Sequence, residues 1–233
     1  MSAEWSLEKE LCKLIGAEDV DEALYRLKIT TEKGFPVDIM RSDSWERGGA
    51  ETYIYKFWVK EGESSQTGYI IKACVAFSPA SSLDDILTEW VSRRTLVEAN
   101  GVSTPRLLAY GHGVILEELI PYGLKERLLE LKELAPLLLN QVAVVLGTLL
   151  KLGFSPVGIL DDLRTRGDDV VMIDFGEDLG PPHIYSDKAS EVSEHLLTKV
   201  QEWGVTLSVS VAADVKSTLL LVSDKDAMNK YVM

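Results

Sequence analysis

Apolar positions recur at helical spacing near the start of the chain, where Leu7, Leu11, Leu14 and Ile15, then Ala23, Leu24 and Leu27, predict one or two short helices over residues 4–30. From Pro36 the period shortens to two. Residues 37–40 predict a short strand. Residues 52–59 set Tyr53, Tyr55 and Phe57 against Ile54 and Trp58 on the other face. Residues 69–77 predict a third strand, with the polar run 62–68 as the hairpin between the last two. A helix follows, capped by Ser81 or Ser82, with Asp84 and Asp85 in its first turn and Leu83, Ile86, Leu87, Trp90 and Val91 on its apolar face. It stops at Asn100-Gly101.

Two strands then flank Gly111-His112-Gly113, over residues 106–110 and 114–119, and Pro121-Tyr122-Gly123 reads as a linker. Residues 124–150 carry helical periodicity broken near Pro136. A turn at Arg166-Gly167-Asp168-Asp169 leads into the apolar run Val170-Val171-Met172-Ile173. A loop at Gly180-Pro181-Pro182 and two helical segments, about 186–203 and 208–222, complete the order. The pattern is α+β: a helical extension over 1–34, a small strand-rich lobe with one embedded helix over 35–120, and a mostly helical lobe over 121–233.

The 233 residues are 46% hydrophobic and 26% charged, enough apolar content for a real core and ordinary for a soluble domain. A net charge of −13 and a sequence pI near 4.7 argue against a nucleic-acid partner, which needs a basic footprint. The basic clusters Arg93-Arg94 and 164–166 read as solvated positions. The longest apolar runs, residues 137–139 and 142–146, are separated by Asn140-Gln141 and read as too short to span a bilayer. The acidic N-terminus lacks the basic and apolar regions of a signal peptide. Cys12 and Cys74 read as free buried thiols in a reducing compartment, so a cytoplasmic location is expected.

The chemistry concentrates at Asp174-Phe175-Gly176. A carboxylate at the end of a buried strand, beside a glycine where the chain can bend, suits holding a metal ion against phosphate oxygens. Other parts fall in order around it. Glu46-Arg47-Gly48-Gly49-Ala50-Glu51-Thr52 has paired glycines, read either as a plain hairpin turn or, by resemblance to the phosphate-covering hairpin of kinase-like proteins, as Gly48 and Gly49 bringing backbone N–H groups to phosphate. Lys72, in Tyr69-Ile70-Ile71-Lys72-Ala73-Cys74, is an inward cation among apolar residues.

In this order the segments resemble the kinase-like fold, most closely its aminoglycoside phosphotransferase and choline kinase branch. The resemblance covers roughly residues 37–180, and Gly101-Val102-Ser103-Thr104-Pro105 is similar to the motif that follows the helix in that branch. It implies a two-lobed, protein-kinase-like α+β architecture that binds ATP and Mg²⁺ and passes a phosphoryl group to a small-molecule hydroxyl. Lys72 would hold the phosphates and Glu89 would steady the lysine. Glu118, in Leu116-Glu117-Glu118-Leu119, would mark the hinge where strand-end backbone groups bond adenine.

The chain departs from the family at the catalytic loop. Where His-Gly-Asp-x-His-x-x-Asn is expected, residues 152–163 read Leu-Gly-Phe-Ser-Pro-Val-Gly-Ile-Leu-Asp-Asp-Leu. Matching on Gly153 and Pro156 puts Phe154 at the catalytic aspartate and Gly158 at the asparagine. Counting back the family's interval of about thirteen residues from Asp174 puts Asp161 at the asparagine and Pro156 at the aspartate. Neither register supplies the acid. The resemblance would then make Asp161 the second metal ligand beside Asp174, Asp161 or Asp162 the surrogate base and Asp178 a further carboxylate, the alternative being that Asp161-Asp162 is an ordinary charged loop. From 174 to 233 only 59 residues remain, short for the lobe that usually carries the substrate pocket. The rival expectation is a pseudokinase, a binding or scaffold protein with room for a protein partner and no catalysis.

Overall fold

The computed structural model of the protein describes residues 5–48, 51–62, 65–75, 82–156, 158–176, 179 and 188–224. Seven α-helices and two antiparallel sheets among these make it an α+β protein. The chain divides into two compact units, one formed by residues up to Trp90 with Pro105–Leu119, the other by Val91–Thr104 with the chain from Ile120 onward.

The first unit opens with helices α1 (Leu7–Ile15) and α2 (Val20–Arg26). Ser6 and Asp19 cap them, each side chain accepting a hydrogen bond from a first-turn N–H, and Gly16 ends α1 at φ +68°, a conformation glycine adopts without strain. Strands β1 (Asp38–Arg41), β2 (Glu46–Arg47), β3 (Thr52–Glu61), β4 (Ser65–Cys74), β5 (Leu107–Gly111) and β6 (Val114–Glu118) form one sheet in the order β1-β3-β4-β6-β5, with β2 also on β3. Its register places Tyr55, Ile71 and Leu116 in one cross-strand row and Ile54, Lys72 and Ile115 in the next, so these rows face opposite sides.

The first of those faces carries the core. Tyr55, Phe57, Tyr69, Ile71 and Leu116 pack with Leu7, Leu11, Leu24, Leu27 and Ile29, and Phe57 stacks on Tyr69 at 5.3 Å between ring centroids. The two N-terminal helices thus share their core with the sheet rather than standing apart as an extension. Trp5, Trp45 and Tyr55 close its edge, with centroids 4.4–5.6 Å apart. Cys12 and Cys74 are free thiols as expected, though half-buried rather than buried.

Helix α3 (Leu83–Ala99) starts in the first unit and ends in the second. The second unit continues with β7 (Tyr122–Gly123), α4 (Leu124–Glu130), a 3-10 turn at Lys132–Leu134 and α5 (Ala135–Leu152). The helical break falls before Pro136 rather than at it, because proline is tolerated in a first turn, where its missing N–H has no acceptor. A 3-10 turn at Ile159–Asp162, β8 (Leu163–Arg166) and β9 (Asp169–Met172) follow, forming a three-stranded sheet with β7. The linker expected at 121–123 therefore joins a sheet. Helices α6 (Ala189–Glu202) and α7 (Val209–Ser223) complete the unit.

The run Lys132–Leu152 corrects one expectation: with a mean hydropathy of 1.6 it is long and apolar enough to cross a membrane by length and composition. Its packing is that of a core helix. Leu138, Leu139, Val142, Ala143 and Leu146 are buried, and Gly147 lies so close to α7 that a Cβ there would meet Val222 at 2.9 Å. The adjacent Asn140 and Gln141 inside it have structural partners. Gln141 bonds Asp168 O and Val170 N at 2.8 Å each, and Asn140 accepts from Thr218 at 3.2 Å.

Candidate functional site

Lys72 lies on the sheet face opposite the α1–α2 core, as its register with Ile54 and Ile115 requires. Its ammonium is 2.6 Å from the carboxylate of Glu117, one diagonal step away on β6, and the two side chains are 14% and 3% exposed. A carboxylate that deep is stable as an ion only when paired and hydrogen-bonded. The pair fixes the ammonium at one place on the strand. Glu89 occupies an exposed position of α3, and it is strand pairing, not sequence spacing, that brings Glu117 to Lys72.

On either side of the paired glycines, β2 pairs with the start of β3, Arg47 opposite Tyr53. Gly48 donates its N–H to Thr52 O at 2.9 Å, and the Thr52 hydroxyl returns a bond to Gly48 O at 2.6 Å. A Cβ at Gly48 would lie 2.6–2.7 Å from Thr52 Oγ1 and Ile54, so close packing is what requires glycine here. This N–H is used within the turn, and Gly49 lies outside the described residues, as do Ser81, Asp178 and the 180–182 loop. At the expected hinge, Glu118 N–H is donated to Arg106 O and Leu119 N–H to Gly68 O, each at 3.0 Å, while the Glu118 carboxylate accepts from Arg106 N at 3.1 Å. Those two backbone donors hold the sheet.

In the second unit the β8–β9 hairpin sets Leu163 opposite Met172, and the ladder extends one step as Ile173 N donates to Asp162 O at 3.3 Å. The expected carboxylate-bearing segments are thereby adjacent in backbone: Asp161-Asp162 on one arm and Asp174 on the other. Asp174 Oδ1 accepts from Gly176 N at 2.9 Å, which shapes the Asp-Phe-Gly segment into a turn.

The C-terminal half of α3 grips that turn. Arg93 donates to Gly176 O, and the Arg94 guanidinium lies 5.6 Å from the centre of the Phe175 ring. Arg94, 4% exposed, is itself held by Glu98 at 3.0 Å and Thr104 at 3.0 Å. The sequence reading of Arg93-Arg94 as solvated charge is corrected here. Helical spacing alone gave no sign that the turn at 174–176 would return to this helix.

Asp161 ends up exposed, with its carboxylate 3.0 Å from the Lys199 ammonium of α6. Phe154 is half-buried and Pro156 buried, in the loop after α5. Among the described residues no three His, Cys, Asp or Glu side chains converge as a metal-binding group. Mg²⁺ characteristically takes only one or two carboxylates, with phosphate and water completing its shell, so Asp174 with Asp161 as second ligand fits its donor chemistry. Beside Asp161 lies a cavity of about 380 Å³, walled by Tyr122, Lys125, Leu160, Arg164 and Trp203 among others.

Compared with known families and curated proteins, the chain matches no family model and no curated protein.

Proposed function

We propose that the protein is a divergent, two-lobed kinase-fold nucleotide-binding protein that takes ATP with Mg²⁺ and transfers its γ-phosphoryl group, slowly, to a small-molecule hydroxyl. The observation that carries this reading is the Lys72–Glu117 pair. A lysine ammonium fixed by a deeply buried carboxylate is a costly arrangement on a central strand and a suitable one for meeting phosphate oxygens. In this reading Lys72 holds phosphate, and Asp174, with Asp161 beside it, holds the metal, which supplies charge neutralisation when bound. The turnover is slow because neither Phe154 nor Pro156 offers a carboxylate, and a general base contributes about two to four powers of ten in rate. A rate well below the 1–100 s⁻¹ typical of kinases is expected.

The test is the melting temperature with ATP and Mg²⁺ together, which should rise for the wild type by mass action. Asp174→Ala should remove most of the rise. No shift at millimolar ATP with Mg²⁺ would sink nucleotide binding.

A second reading, a pseudokinase that binds or scaffolds without catalysis, is favoured by one observation: the Asp161 carboxylate already faces the Lys199 ammonium. If Asp161 or Asp162 acts as surrogate base, an alanine at one of them abolishes turnover and spares ATP binding.

A further inference from the structure

The cavity of about 380 Å³ in the second unit falls in the size range of small-molecule sites, and its wall holds a guanidinium without an acceptor among the described residues. Arg164 of β8 is half-buried there, and among the described residues its guanidinium has no hydrogen bond or ion pair. The Lys125 ammonium on α4 is equally without a partner. Two carboxylates also reach the wall, and only that of Asp161 has an ion-pair partner among the described residues. Asp161 faces Lys199 at 3.0 Å, and Glu126 folds back over Gly123, where a Cβ would collide with it.

The wall carries two cations, Arg164 and Lys125, and two carboxylates, of which Asp161 is paired with Lys199 from outside the wall. A half-buried guanidinium without an acceptor is poorly solvated, and its planar fork matches a carboxylate or phosphate. The cavity opens where Arg164 pairs across the ladder with Gly123, which contributes no side chain of its own. Its remaining wall is aromatic and aliphatic, from Trp203, Tyr122 and Leu160. The Arg127 guanidinium lies 5.2 Å from the centre of the Tyr122 ring.

We propose that this cavity binds an aromatic small molecule carrying one carboxylate or phosphate group, the anion on Arg164 with Lys125 and the ring against Trp203 and Tyr122. Recognition divides in the usual way, with apolar area holding the ring and a few placed cations fixing its orientation. The role of such a molecule as phosphoryl acceptor, with its hydroxyl near Asp161, rests on the reading given above. Its binding does not.

The experiment titrates Trp203 emission with phenyl phosphate, benzoate, phenol and inorganic phosphate, in the absence of ATP and divalent ions. Trp203→Phe isolates the signal from the other tryptophans. Phenyl phosphate or benzoate should change the emission saturably, and whichever binds tighter names the anion. Phenol and inorganic phosphate alone should bind at least about tenfold more weakly, the scale of one charged hydrogen bond or one buried ring. Arg164→Gln should weaken binding about tenfold or more while leaving the melting temperature unchanged, since Arg164 supports no other group. Arg164→Lys should fall between the two. The proposal is overturned if neither aromatic anion alters Trp203 emission, if phenol binds as well as phenyl phosphate, or if Arg164→Gln binds like the wild type. Because ATP takes no part, failure of nucleotide binding leaves this result standing, and the reverse also holds.

Discussion

The Lys72 ammonium and the Glu117 carboxylate meet at 2.6 Å across adjacent antiparallel strands, with Glu117 almost wholly shielded from water. Truncating one member of such a pair leaves the other charge buried and uncompensated, which typically costs about 3–5 kcal/mol. Lys72→Met should therefore shift the urea midpoint strongly downward. Adding Glu117→Leu to it should recover part of the loss, because the stranded carboxylate goes with it. A Lys72→Met protein with an unchanged midpoint would show that the pair is not coupled.

Arg94 over Phe175 makes a second testable contact, since it ties the Asp-Phe-Gly turn to α3. Arg94→Ala should destabilise by about 1–3 kcal/mol, within the ordinary range for loss of a buried polar contact. Its specific mark is faster amide hydrogen exchange at residues 173–176. Arg94→Lys should also loosen the turn, because an ammonium cannot both stack flat and reach Glu98 and Thr104. Unaltered exchange in both variants would show that the turn holds itself.

Gly147 offers a case where helix propensity and packing oppose each other. Alanine gains about 1 kcal/mol in a helix interior. Here the added Cβ would lie 2.9 Å from Val222 Cβ and 3.1 Å from Leu219 O, and a backbone atom cannot swing aside. Overpacking commonly costs about 1–3 kcal/mol, so Gly147→Ala should lower stability on balance. A gain in melting temperature would mean that α7 shifts easily.

Tyr69 and Glu8 set pH limits at opposite ends. Burial pushes the Tyr69 phenol up, partly offset by Arg106. A raised folded pKa means that its contribution to stability is complete below the unfolded value of about 10 and is lost as pH rises through the folded one. Tyr69→Phe should flatten the alkaline fall in melting temperature. Burial also raises Glu8, but its own backbone N–H and the Arg41 guanidinium outweigh that and hold it below the usual carboxylate range. Its contribution is present above about 4.3 and lost as pH falls through the folded pKa. Glu8→Gln should blunt the acid-side loss, whereas equal pH profiles for variant and wild type would remove either residue from the account.

The order of elements was written in the sequence wherever a periodic apolar face met a stop signal. Leu7 and Leu11 at helical spacing marked α1, Asn100-Gly101 ended α3, and the alternation through Tyr55 and Phe57 marked a strand whose inner face is the observed core. These are local signals, set by backbone periodicity and capping chemistry within a few residues. Lys72 and Asp174 could likewise be singled out, because a charge inside an apolar strand and a carboxylate at a strand end are visible in one dimension.

Their partners could not. Glu117 reaches Lys72 through the β4–β6 register, Arg94 reaches Phe175 across 81 positions of chain, and Lys199 reaches Asp161 from a different helix. The half-buried Arg164 looked like one more solvated charge until β7 paired with β8 and placed Gly123 opposite it. Pairing register and helix packing depend on the summed burial of many distant residues. Local sequence therefore singled out the charged groups, and only the tertiary structure decided which charge each of them faces.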